Sequence, residues 1–76
     1  MNIGERIKGL REERGWTPFD LSLKSGVREQ TIRAWEAGRR LPSDLLMLAA
    51  VATALDTTVD GLMGMAPAPA QAAANG

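Results

Sequence analysis

The sequence predicts an all-α domain, and three observations carry that prediction. Apolar residues return at three- and four-residue intervals through most of the chain, and no segment alternates convincingly as a strand. Residues suited to start helices, Asn2, Thr17, Ser43 and Thr58, stand just ahead of these segments. Glycines close three of them, at Gly15, Gly26 and Gly38.

Taken in order, Asn2 with Glu5 three residues later forms a capping-box start, and Ile3, Ile7 and Leu10 recur at helical spacing. Helix 1 is expected from about Ile3 to Arg14, ending at Gly15. Thr17 caps helix 2, with Pro18 at the first helical position, where its missing N–H is harmless, and Asp20 in the first turn. Trp16 before the cap and Leu21 in the helix have the spacing of a hydrophobic staple, with Trp16 half exposed. Helix 2 then covers roughly Pro18 to Lys24. Gly26 follows, where the chain needs a left-handed backbone that glycine adopts cheaply.

Helix 3 is expected from Glu29 to Ala37, with Val27, Ile32 and Trp35 supplying the inward face. Arg39, Arg40, Leu41 and Pro42 form a connection, since the residue before a proline is steered away from helix. Ser43 is expected to cap helix 4, whose stripe would be Leu45, Leu48, Ala49, Ala52 and Leu55. Thr58 begins a last short helix with Val59 and Leu62 inward. From Ala66 the chain is rich in alanine and proline with no large apolar residue, the composition of a flexible tail or linker. The organisation expected is one domain over 1–65 and a tail over 66–76, with no internal repeat.

Composition narrows the function. There are 76 residues, enough for one small core, and no cysteine, so neither disulfides nor thiolate metal sites are available. Histidine and tyrosine are absent as well, which removes the commonest general base and metal ligand. An enzyme is not expected, nor a metal or other cofactor. The start of the chain lacks the apolar core of a signal peptide. The longest nearly apolar run, Leu45 to Leu55, has about half the length that spans a bilayer, so no membrane partner is expected and the setting is cytoplasmic.

Formal net charge is zero, but its distribution is uneven. Residues 1–42 hold all nine lysines and arginines and six acids, a balance of +3. Residues 43–76 hold only Asp44, Asp56 and Asp60, a balance of −3. One basic and one acidic face are implied.

A helix ending in glycine, a short turn and a second helix around Ser22, Gly26, Val27, Ile32 and Trp35 make a helix-turn-helix, whose second helix enters the DNA major groove. With five short helices in this order, the chain resembles the lambda repressor/Cro family, also called the xenobiotic-response-element family. The resemblance covers about residues 3 to 63. It rests on Ile3-Gly4-Glu5-Arg6-Ile7-Lys8-Gly9-Leu10-Arg11, on Gly26-Val27, and on the run from Thr31 to Ser43. It implies a five-helix bundle and a sequence-specific transcriptional regulator, with repression the expected sense and double-stranded DNA the partner.

The sequence departs from the family at three places. Ser22 stands where alanine is usual. Pro18 replaces a glutamine that often contacts phosphate at the start of helix 2, and Arg28 replaces the usual serine or threonine cap of helix 3.

In this geometry the first residues of helix 3 face base edges, which makes Arg28, Glu29 and Gln30 candidates for base contact, with Arg33 and Ala34 one turn later. Arginine can pair with guanine O6 and N7, glutamine with adenine, glutamate with cytosine N4, and an alanine methyl can meet the thymine methyl. Glu29 near phosphates is unfavourable unless it is paired. The resemblance places Arg39 and Arg40 in a loop that touches the DNA backbone, and Thr17, Lys24 and Arg6 are further phosphate candidates. It also places Arg11 and Glu36 where the family has a largely buried ion pair. Phe19 either marks a contact surface or lies against Trp16.

Leu62, Met63 and Met65 leave apolar surface at the end of the last helix, either for a homodimer or merely to cover helix 4. The competing function is a protein-interaction module on the same fold, such as an antitoxin or the N-terminal domain of a larger regulator. No small-molecule ligand is expected.

Overall fold

The computed structural model describes residues 2–64. Five helices follow one another as α1 (Ile3–Glu13), α2 (Pro18–Ser25), α3 (Glu29–Glu36), α4 (Leu45–Ala54) and α5 (Val59–Leu62), with no strand among the described residues. Met65 and the Ala/Pro stretch 66–76, read above as a tail, lie outside the described residues.

Local chemistry starts the first two helices. The Asn2 side chain accepts the Glu5 N–H at 2.8 Å, while the Glu5 carboxylate accepts the Asn2 N–H at 3.4 Å. Thr17 and Asp20 repeat the arrangement at α2, at 3.1 and 2.8 Å. Each reciprocal pair satisfies two N–H groups that a helix start would otherwise leave open. Pro18 occupies the first position of α2, as expected.

The turn between α2 and α3 is pinned from both sides. Gly26 takes the left-handed conformation (φ 78°), and its N–H donates to the Ser22 carbonyl at 2.8 Å. The Ser22 hydroxyl donates to the Val27 carbonyl at 2.6 Å, and the Ser25 hydroxyl accepts the Val27 N–H at 3.1 Å. Serine in place of the family's alanine is therefore a clamp across the turn. Arg28 caps α3 without any side-chain hydrogen bond.

Ile7, Leu21, Val27, Ile32, Trp35, Leu48, Val51, Ala52, Leu55 and Leu62 form one buried cluster, to which every helix contributes. Within it α2 packs on α3 and α4, α1 on α3 and α5, and α4 on α5. Helix α1 comes close to α3 at Gly4, which lies directly against the backbone of Trp35 and Glu36.

Helix α4 departs from expectation. Its cap is Asp44, not Ser43: the Asp44 carboxylate accepts the N–H groups of Leu46 and Met47 at 2.9 and 3.2 Å. The buried face is Leu48, Val51 and Ala52, continued by Leu55, whereas Leu45 is exposed and Ala49 only half-buried. A segment that is apolar on nearly all sides has no phase to read, so the cap and the core contacts choose its face. Leu55 ends α4, and the next residue, Asp56, takes a left-handed conformation (φ 58°) that aspartate tolerates better than most side chains. The Arg14 guanidinium reaches across from the end of α1 to donate to the carbonyls of Leu10 and Leu55.

Candidate nucleic-acid interface

Helix α3 divides its residues sharply. Ile32 and Trp35 face the core, while Arg28, Gln30 and Arg33 are exposed and Glu29 is half-buried. Ala34 corrects the sequence reading: it is only 7% exposed, so its methyl is not available to a thymine methyl. Alanine is small enough to sit on either face, and here close packing claims it. Its carbonyl serves the following turn, accepting the N–H groups of Arg39 and Arg40 at 3.0 and 3.4 Å. Gly38 turns the chain there with φ 77°, and Arg39 and Arg40 emerge exposed directly after the helix.

Two of the candidate base contacts are engaged with each other. One oxygen of Glu29 accepts from Arg33 Nε at 2.8 Å and lies 2.7 Å from Arg33 Nη2. Their four-residue separation, acid first, is the favoured order along a helix.

The orientation of α3 is held by Arg11. Its Nε and Nη2 donate to the two Glu36 oxygens at 2.8 Å each, and its Nη1 donates to the Trp16 carbonyl at 2.7 Å. The two side chains are 8% and 9% exposed. One guanidinium thus joins α1, the loop before α2 and the last residue of α3. Hydrogen bonding to Glu36 raises the Arg11 pKa above its ordinary value, against the opposing effect of burial. A raised pKa favours the folded state at every pH below it, so this contribution persists wherever arginine stays protonated.

An open groove of about 530 Å³ lies beside this pair, where α1, the start of α2 and the end of α3 meet. Pro18 lines it together with Lys8, Arg33 and Arg39. Lys8 was missed by sequence reasoning. It sits on the exposed side of α1, and only the packing of α1 on α3 shows that it shares a groove with arginines some thirty residues away. Of the remaining phosphate candidates, Thr17 is exposed with its oxygen accepting the Asp20 N–H, and the Lys24 ammonium lies 4.8 Å from the centroid of the Trp16 ring. Trp16 is half-buried against the core, also as a platform for Arg14 at 5.7 Å, while Phe19 is exposed. Arg6 lies against Gly64, and its Nε is buried without a partner among the described residues.

The apolar surface also differs from expectation. Leu62 is fully buried and cannot serve as an intersubunit contact, because the short α5 turns it into the core. Met63 is 54% exposed, and Leu41, Leu45 and Leu46 are exposed as well. Met63 and Leu41 line one open apolar groove with Ile3, Pro42 and Leu48. Among the described residues there is no group of three His, Cys, Asp or Glu side chains that could hold a metal ion, and no helix long and apolar enough to cross a membrane.

The family model described as helix-turn-helix matches residues 7–62. A chain in a structure described as a SinR protein/SinI protein complex is 32% identical, with a TM-score of 0.74 over 79% of this chain and 58% of that one. A second structure, described as the master regulator for biofilm formation SinR in complex with DNA, is also 32% identical, with a TM-score of 0.75 over 79% of this chain and 95% of that one. The present chain thus matches little more than half the length of the first of these. No curated protein matches it.

Proposed function

The chain belongs to the lambda repressor/Cro-like helix-turn-helix family of DNA-binding transcription regulators, and from that premise we propose that it is a sequence-specific repressor reading the major groove with α3. The observation that carries this reading is the exposed run of Arg28, Gln30, Arg33, Arg39 and Arg40 along α3 and the turn behind it. Gln30 and Arg33 supply groups that match base edges, and Arg28 stands at the helix start within reach of the same groove. Arg39, Arg40 and Lys8 supply phosphate contacts, with Thr17 and Lys24 flanking them. In this reading Lys8 and Arg39 replace the contact that Pro18 cannot make. The reading is of a binding protein and assigns no catalytic chemistry.

Selection from a pool of duplex fragments at two salt concentrations tests this. Affinity is expected to fall steeply with salt, as phosphate-bound counterions are released. Gln30→Ala should relax the choice at one base pair by ~1–3 kcal/mol, whereas Arg39→Ala should weaken all sites alike and reduce the salt slope by about one. Equal and negligible binding to every fragment at low salt would overturn the reading.

We further propose a homodimer, joined through the exposed apolar residues Leu41, Leu45, Leu46 and Met63 rather than through Leu62. Two α3 helices spaced by about 34–36 Å would then meet one face of a near-palindromic site. Leu46→Glu is expected to give a monomer in sedimentation equilibrium and weaker DNA binding; an unchanged dimer would place the contact elsewhere.

A second reading, that the same apolar surface receives a different protein, is favoured by that exposed surface and by the protein–protein complex in which a 32% identical chain is found. Co-purification of a second polypeptide that displaces DNA would support it.

A further inference from the structure

We propose that Glu29 is a positioning residue that holds Arg33 for guanine and reads no base itself. The inference rests on the DNA-binding reading above.

The geometry of the pair points to this division of labour. A guanidinium offers two usable edges, one formed by Nε and Nη2, the other by Nη1 and Nη2. Glu29 takes the first, since a single oxygen accepts from Nε at 2.8 Å and stands 2.7 Å from Nη2. The second edge is left open, with two parallel N–H groups of the spacing that fits guanine O6 and N7. The Arg33 side chain remains 57% exposed while it is held, which leaves it accessible to a ligand.

Glu29 is suited to holding and poorly suited to reading. It is the first residue of α3, where the helix dipole favours a carboxylate, and its side chain is more covered than that of Arg33, at 33% exposed. Paired with a cation, it also escapes repulsion from the phosphates it would approach. A free arginine must give up several rotatable bonds to form a bidentate contact, whereas one held by an i,i+4 carboxylate has given up most of them beforehand.

The test is site selection from random duplexes with the native protein, Glu29→Ala, Glu29→Gln, Arg33→Ala and the double variant Glu29→Ala/Arg33→Ala. The base pair at which Arg33→Ala loses its guanine preference marks the Arg33 position. Glu29→Ala is expected to lower the preference at that same position about three- to tenfold, the cost of ordering one long side chain, and to leave the position relaxed by Gln30→Ala unchanged. Glu29→Gln, which keeps an acceptor at the same reach, should recover part of it. The double variant should match Arg33→Ala. A purely structural role for Glu29 would weaken every position equally. If Glu29→Ala relaxes a different base pair, the carboxylate reads that base and the proposal fails; if it changes no position, the proposal fails too. If the native protein selects no sequence at all, the DNA-binding reading falls and takes this one with it.

Discussion

Replacing Arg11 with alanine is expected to remove much of the stability of this domain. Glu36 would stay buried with neither of its 2.8 Å donors, and the Trp16 carbonyl would lose its own at 2.7 Å. Breaking one side of a buried pair typically costs about 3–5 kcal/mol, because the remaining charge is neither paired nor hydrated. Domains of this size stand near the lower end of the usual range of about 5–15 kcal/mol, so the loss would leave little margin. Urea unfolding followed by circular dichroism measures it directly. The double variant Arg11→Met/Glu36→Leu should lose far less than the sum of the single changes, since no charge is stranded. If Arg11→Ala alone costs under about 1 kcal/mol, the pair behaves as a solvated surface contact and its bracing role is refuted.

The second large effect is a contrast within one helix. Gly4 and Gly9 both lie in α1, yet alanine at the two positions should act in opposite directions. A Cβ on Gly9 would meet nothing within 4 Å, and replacing a glycine inside a helix with alanine stabilises by roughly 0.5–1 kcal/mol. A Cβ on Gly4 would collide with the Trp35 carbonyl oxygen and lie 2.8 Å from its carbonyl carbon and 3.1 Å from Glu36 Cα. These are backbone atoms that cannot rotate aside, so α1 and α3 must separate, at a cost of about 1–3 kcal/mol or more. In a domain this small each kcal/mol moves Tm by about 4–8 °C, so thermal melts should shift upward for Gly9→Ala and downward for Gly4→Ala. A downward shift for both would mean that α1 tolerates no added methyl anywhere.

Much of this architecture was legible because its signals are local. Asn2 with Glu5, Thr17 with Asp20, and Gly26 each announce a helix boundary through bonds spanning three or four residues. Legibility stopped where two neighbours could do the same job or where the answer lay far along the chain. Ser43 and Asp44 are both competent caps, and only the path of the backbone decides between them. Ala34 fits either face of α3. The bond from Arg14 to the Leu55 carbonyl spans 41 residues and leaves no mark in local spacing. The Glu29–Arg33 pair is different, since acid followed by base four residues later is a readable pattern. Reading the two as separate base contacts overlooked that each is the other's nearest partner.

The division of charge between the helices has a consequence for how the molecule meets a long anion. Lys8, Arg28, Arg33, Arg39 and Arg40 belong to α1, α3 with its cap and the turn that follows. The charges from Asp44 onward, at the cap of α4, in the turn after it and in α5, are Asp44, Asp56 and Asp60, all negative and exposed. With no net charge to draw it in, the protein still has an electric dipole, and a field gradient acts on a dipole by turning it as well as pulling it. Near DNA such a torque would swing the acidic helices outward before contact, so that collisions would arrive already oriented. Added salt would act first on this alignment, slowing association more than it hastens release.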